Sequence, residues 1–266
     1  MYFLENSHQY FIEIDNSVVE YKSFSYLKKL VEPEKDWDEI ARKYAQKNNM
    51  TVEEVKALWE KKKVDACERG TLLHLHKETG DVQNQELVTY QSPVVGDKKI
   101  IRNLETLEDG WHLELPLYNH EYQVCGTADR VFIETRNGIR YARIGDFKTN
   151  QSIDQESYFN PRTKTHEMMK VPLNHLMNCN YWGYALQLST YGYFLERYNY
   201  VVEDLELIHI PLEECKTKKE KESSIIQHDG KFFKEGEKTI YKIPYLRKEA
   251  IKLLKYYKSQ REKGKL

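Results

Sequence analysis

The chain has 266 residues, 40 % of them hydrophobic, with a net charge of −1, which suits one large domain or a core with insertions and excludes a globally basic chain. Contact with nucleic acid must therefore use local patches. The four cysteines, Cys67, Cys125, Cys179 and Cys215, form no C-x-x-C pair, which argues against a zinc ribbon or disulfide framework, and no apolar run reads as a signal peptide or membrane span, so a cytoplasmic protein with no membrane partner is expected.

In chain order, residues 1–22 predict a small β-hairpin, with Tyr10, Ile12 and Ile14 on one side and Val18, Val19 and Tyr21 following Asp15-Asn16. Residues 23–31 read as a short helix ended before Pro33, and residues 36–47 as a second helix. Thr51-Val-Glu-Glu54 is a capping-box pattern that opens a long helix, with Gly80 as its stop. On that helix His74 and Glu78 share a face, and Arg69-Gly70-Thr71 lies one turn earlier. A helical glycine costs about 1 kcal/mol relative to alanine and permits close approach of another backbone. A strand carrying Glu114 follows at residues 111–118.

Asn137-Gly138 between two alternating runs is a strong hairpin signal, because a type I′ turn needs φ > 0 at both central positions. With a two-residue turn, Arg136 faces Ile139, Val131 faces Ile144 and Ile133 faces Ala142. Asp129 then faces Asp146, and Thr127 faces Lys148. Two carboxylates opposed on an apolar face repel, and burial raises their pKa values unless a cation sits between them. A divalent metal with Lys148 close by resolves the conflict, which is the logic of a metal-dependent phosphodiesterase.

Residues 151–177 have little periodicity and mix Tyr158, Phe159, Arg162, Lys164, His166 and Lys170. They read either as a flexible nucleic-acid clamp or as a solvated loop. A long helix at residues 178–198 aligns Tyr184, Gln187, Tyr191 and Leu195, and residues 204–211 alternate as a strand. Residues 216–222 are a solvated charge run, and Phe232, Phe233 and Ile240 predict a hairpin around Gly236. Residues 242–266 form a helical pattern with nine Lys or Arg against two Glu, a candidate phosphate-tracking face.

Four motifs stand in order: Arg69-Gly-Thr-Leu-Leu-His74, Gly126-Thr-Ala-Asp129, Ile144-Gly-Asp-Phe-Lys-Thr149 and Gln187-Leu-Ser-Thr-Tyr191. Together they resemble the PD-(D/E)xK nuclease superfamily, and they look most like the branch with the RecB-type nuclease domain, phage exonucleases and the mitochondrial single-strand exonuclease. The resemblance implies a mixed α/β fold with a restriction-endonuclease-like αβββαβ core, its mixed central sheet flanked by helices. Residues 1–50 would be an N-terminal module packed on the core, 51–212 the nuclease core, and 213–266 a C-terminal extension with the basic helix.

The activity implied is hydrolysis of DNA phosphodiester bonds with Mg²⁺ or Mn²⁺, most simply by an exonuclease of phage or bacterial recombination, repair or replication. An RNA-cleaving nuclease and an inactive nuclease-fold binding module are the alternatives. By the same resemblance, His74, Asp129, Asp146 and the Phe147 carbonyl would hold the metal. Lys148 would orient or deprotonate water, and Gln187 would hold the site's groups or the water. Arg69, Glu114, Thr149 and Tyr191 would line the substrate path. The partners implied are single-stranded DNA or duplex ends, with a helicase, recombinase or single-strand-binding protein. A homo-oligomer is also open. No cysteine cluster for iron–sulfur and no G-x-x-x-x-G-K-[ST] helicase motif occurs.

Overall fold

Alternating β-branched and aromatic residues build the strands on which everything else packs. The structure, a computed structural model, describes residues 2–4, 9–14, 17–83, 88–96 and 98–266. Strands β1 (Tyr2–Leu4), β2 (Gln9–Ile14) and β3 (Ser17–Ser23) open the chain. β2 and β3 pair antiparallel with Tyr10 opposite Tyr21 and Ile12 opposite Val19, as the alternation predicts. The Asp15-Asn16 turn lies outside the described residues. Helix α1 (Phe24–Lys29) is capped by Ser23, and α2 (Trp37–Asn48) by Asp36.

Helix α3 (Val52–Gln83) opens on the predicted capping box. The Glu54 amide donates to Thr51 Oγ1 (3.1 Å), and the Thr51 amide donates to Glu54 Oε2 (2.8 Å). It does not stop at Gly80, which lies inside the helix with open space where a Cβ would stand. Gly80 has helical φ rather than the left-handed φ of a C-terminal cap, and the turns on either side carry it through.

Short strands β4 (Thr89–Tyr90), β5 (Val94–Val95) and β6 (Lys98–Ile100) lead to the long β7 (Gly110–Asn119), β8 (Val124–Arg136) and β9 (Ile139–Lys148). Asn137 and Gly138 both have positive φ (52° and 75°), and the β8–β9 register runs as predicted from Arg136↔Ile139 to Arg130↔Gly145. Next come a ribbon of β10 (Phe159–Asn160) and β11 (Thr165–His166), helix α4 (Asn180–Glu196) and strand β12 (Tyr200–His209). The segment around the ribbon is a packed connection rather than a free clamp. Met169 and Leu173 are buried, and the Lys170 amide donates to Val31 O.

The chain ends with β13 (Leu212–Glu214), α5 (Lys218–Glu222), β14 (Ile226–His228), β15 (Lys231–Glu235), β16 (Thr239–Lys242) and α6 (Arg247–Glu262). The charge run is solvated as predicted, but it is helical. Thr217 and Glu220 form a second capping box, and α5 buries no residue. The late hairpin turns at Asp229-Gly230, both at positive φ, and not at Gly236. Ile240 instead joins the main sheet through β16, opposite Ile208 of β12.

Among the described residues the main sheet has eleven strands in the order β16-β12-β9-β8-β3-β2-β1-β6-β5, with β7 and then β4 on the other edge of β8. It is mixed, since β12 runs parallel to β9 and β3 parallel to β8. One face packs on α4, backed by α1 and α6, in a core that includes Val131, Ile133, Ala142, Ile144, Leu186 and Leu253. The other face holds α3 and the small β13–β15 sheet through Leu73, Phe147, Ile208, Ile210, Ile226 and Phe233. Helix α6 braces the first layer. It buries Ala250, Leu253, Leu254 and Tyr257, and it pairs Arg247 with Glu196 (2.7 Å) and Lys258 with Glu121 (3.5 Å). No helix among the described residues is long and apolar enough to cross a membrane.

Candidate metal centre

The site forms where the sheet divides. One edge of β8 keeps β7 from Val124 to Ile133, interrupted only at Asp129, while the other is held by β9 down to Arg130 and by β3 only at Val124 and Cys125. Among the described residues, 126–129 have no strand partner on that second edge, so their surroundings must supply other contacts. The Phe147 amide donates to Asp129 Oδ2 at 2.5 Å, and the Tyr10 hydroxyl bonds Thr127 Oγ1 at 2.9 Å. The Tyr191 hydroxyl presses on Gly126 so closely that a Cβ there would lie 2.3 Å from it. The predicted register therefore holds up to the pair beside the two aspartates. At the acids the ladder has ended, and the Asp129 carboxylate takes the amide that a ladder would have used.

A third carboxylate completes the row. Leu113↔Arg130 and Leu115↔Ala128 pair on either side, which sets Glu114 of β7 opposite Asp129. Glu114 has φ +46°, and a left-handed residue other than glycine costs about 1–2 kcal/mol. The alternation of both strands changes phase at this row. Val124 and Ala128 enter the main core on one side of it, and Val131 and Ile133 on the other.

His74 reaches the row from α3, with Nδ1 3.4 Å from Asp129 Oδ1 and 3.7 Å from Glu114 Oε1. Neighbouring Leu73, fully buried among Phe147, Ile208 and Phe233, fixes the helix at this height. The imidazole also meets the Phe147 ring edge-on at 6.1 Å between centroids. Lys148 makes an ion pair with Asp146 Oδ2, and its ammonium lies 4.9 Å from the centre of the Tyr184 ring.

The electrostatics follow from burial and crowding. Burial, then the charge of Asp146, raises the Asp129 pKa against the pull of His74 and Lys148. Burial works against the His74 imidazolium, but Asp129 and Glu114 outweigh it and push its pKa up to about 9. Burial likewise opposes the Lys148 ammonium, and Asp146 and Asp129 outweigh it, so its pKa rises. In the ion-free protein Lys148 is a fixed cation and not a base.

The donor set fits a hard divalent cation. His74, Glu114 and Asp129 each offer one ligand atom, all within 4.8 Å of one another. Asp146 Oδ2 is fully buried, and its partner is the Lys148 ammonium. Carboxylate oxygens suit Mg²⁺ and Mn²⁺, and one imidazole is compatible with Mn²⁺.

Glu114, His74, Phe147 and Lys148 line a cavity of about 1460 Å³, whereas the buried Asp129 and Asp146 do not line it. Arg69 lines it, with its guanidinium 5.2 Å from the Phe233 ring centre. Thr149 lines it too, and its hydroxyl would be 3.5 Å from a Cβ on Gly70, an ordinary contact, so the predicted close approach of another backbone is not what this glycine serves. Tyr191 is at the cavity wall. Gln187 is not, and its amide donates to the Tyr191 hydroxyl (3.2 Å) rather than to the acids. Sequence reasoning missed Tyr10 and the buried Lys99, which the N-terminal strands bring to the same cavity. Tyr10 stood on the inward side of the predicted hairpin, but no local pattern says that this hairpin joins β8. The basic face of α6 contributes nothing to the cavity lining.

Comparison with known proteins finds no family model, no curated protein and no solved structure that matches the chain.

Proposed function

We propose that this protein is a divalent-metal-dependent nuclease that hydrolyses DNA phosphodiester bonds, working as an exonuclease in recombination, repair or replication. One observation carries the proposal: His74, Glu114 and Asp129 bring ligand atoms within 4.8 Å of one another beside the Asp146–Lys148 ion pair, at the point where β9 leaves β8, and His74, Glu114 and Lys148 line one cavity. The order α3, β7–β9, α4, β12, with β12 parallel to β9, supports reading this core as restriction-endonuclease-like.

His74, Glu114, Asp129 and Asp146, with the Phe147 carbonyl, would hold Mg²⁺ or Mn²⁺, which when bound neutralises phosphate charge and acidifies water. Asp129 keeps its orientation through the Phe147 amide. Lys148, held charged by Asp146, stabilises negative charge that develops on the phosphoryl oxygens. The Tyr184 ring faces the Lys148 ammonium, and its hydroxyl donates to Asn150 Oδ1 (2.7 Å), tying down the turn after β9. Gln187 acts through Tyr191, as a positioning residue for the cavity floor.

The test is to incubate DNA labelled at one end, single- and double-stranded, with and without Mn²⁺, beside labelled RNA. Asp146→Asn and Lys148→Gln are run in parallel. Metal-dependent shortening from one end, lost in both variants, is the expected result. Cleavage that ignores a chelator, or survives both substitutions, sinks the mechanism.

A further inference from the structure

Helices α2 and α3 form an arm with a small core of its own, Ala41, Ala45 and Val55. The aromatic residues beside that core do not complete it. Trp37 is 60 % exposed, and Ile40 and Tyr44 are also exposed. Their rings gather around Trp59 of α3, with centroids 6.3 Å away for Trp37 and 5.7 Å for Tyr44. Trp37, Ile40, Tyr44 and Lys47 follow one another at spacings of three and four on α2, so they form one stripe. An exposed cluster of this kind marks an interaction site rather than a packing accident.

The second observation is where α3 leads. Trp59, Lys63, Cys67, Gly70 and His74 are also three or four residues apart, on one face of a single unbroken helix. Cys67, Gly70 and His74 line the cavity of the candidate metal centre. The rise of an α-helix puts Trp59 about 22 Å from His74 along the axis. One helix face thus runs from an aromatic cluster, past a lysine, into the site.

We infer that the α2–α3 arm is a stacking platform for single-stranded nucleic acid, engaging bases several nucleotides away from the reacting phosphate. This rests on the nuclease proposal for its direction, but not for its measurement. Aromatic faces accept any base, and interleaved lysines meet the phosphates between them. Lys47 ends the α2 stripe, and Lys63, ion-paired with Glu60 (3.1 Å), stands one turn along α3 from Trp59, toward the cavity.

The test is binding, in chelator so that nothing is cut, of an oligothymidylate of about twenty residues to the full chain. Its readouts are tryptophan quenching and oligonucleotide anisotropy, for wild type, for Trp37→Ala/Tyr44→Ala, and for Trp37→Phe. Wild type is expected to quench on binding, the double variant to lose about tenfold in affinity, and Trp37→Phe to retain most of it. Cleavage of a trinucleotide in Mn²⁺, too short to reach the arm, should be unchanged in the double variant. Equal affinity in the double variant, or binding without quenching, overturns the platform while leaving the nuclease proposal standing. So does self-association that the double variant loses, which would make the arm a contact between copies. Normal platform binding with no cleavage of any substrate would refute the nuclease and leave the platform.

Discussion

Asp129→Asn should make the ion-free protein more stable and blind to metal. Asp129 is 9 % exposed, and burial together with Asp146 raises its carboxyl from 3.8 to about 7. Each pKa unit corresponds to about 1.4 kcal/mol, so ionising this group at pH 8 costs the ion-free fold roughly 2–4 kcal/mol. Asparagine keeps the shape, and its oxygen can still accept from the Phe147 amide. Between pH 3.8 and 7 the native state holds a proton here that the unfolded state has lost. Wild-type stability from this group therefore falls as pH rises through that window, and then levels off. Thermal unfolding in chelator at pH 8 should show the variant melting about 5–10 °C higher, since 1 kcal/mol moves a chain of this size by roughly 2–4 °C. The gain should shrink toward zero at pH 4. Saturating Mn²⁺ should raise the wild-type midpoint and leave the variant's nearly unmoved. A variant less stable than wild type in chelator at pH 8, or one that gains as much from Mn²⁺, would refute the account of a carboxylate row strained by the absence of an ion.

Two further substitutions probe the surroundings. Gly126→Ala places a Cβ 2.3 Å from the Tyr191 hydroxyl and 2.7 Å from its ring, so urea unfolding should register a loss of about 1–3 kcal/mol from overpacking; an unchanged midpoint would mean that Tyr191 does not press on the divided edge. Lys148→Met removes the cation beside the buried Asp146 Oδ2. It should cost the ion-free protein about 3–5 kcal/mol, and Mn²⁺ should recover more stability than it gives wild type, as measured by urea titrations with and without the ion.

What the sequence disclosed was local or strictly periodic. The Asn137-Gly138 turn dictated the β8–β9 register, because two residues at positive φ leave little choice of pairing. The Thr51–Glu54 box located the start of α3 for the same reason. Its end was misread because a glycine can stop a helix or be carried through one, and only the turn beyond decides which. Pairings between distant segments were not legible. Nothing in Lys22-Ser23 announces that it lies beside Val124-Cys125, yet this contact frames the unpaired stretch 126–129. Likewise Ile240 alternates well with Phe233, but it pairs with Ile208 in another sheet. Asp129, Asp146 and Lys148 were legible as neighbours from the hairpin register, whereas His74 joined them only through motif order. Tyr10 and Lys99 reach the cavity only through the curl of the N-terminal strands, which no local pattern encodes.

The costs gathered at the row have a common remedy. Glu114 sits at positive φ, Asp129 is raised, and Asp146 is a buried carboxylate with the Lys148 ammonium as its partner. Three carboxylates face one lysine and one histidine, and positive charge relieves two of the three costs directly. In the ion-free state His74 supplies that charge by keeping its proton up to a pH of about 9. Its stabilising contribution is complete below its ordinary pKa of 6.5 and is lost as pH rises through 9. An imidazole must be neutral to bind a metal, so ion binding has to expel this proton. Calorimetric titration with Mg²⁺ or Mn²⁺ at pH 7.5, in two buffers of different ionisation enthalpy, should therefore report release of about one proton per ion. Near pH 6 the release should approach two, as Asp129 joins His74, and at pH 9.5 it should fall to about a quarter of a proton. His74→Gln should cut the release at pH 7.5 to the roughly quarter of a proton or more that Asp129 still holds, and retain most of the Asp129 release at pH 6. Ion binding that releases no proton at pH 7.5 would mean that His74 does not meet the metal, and that the carboxylate row binds the ion without α3.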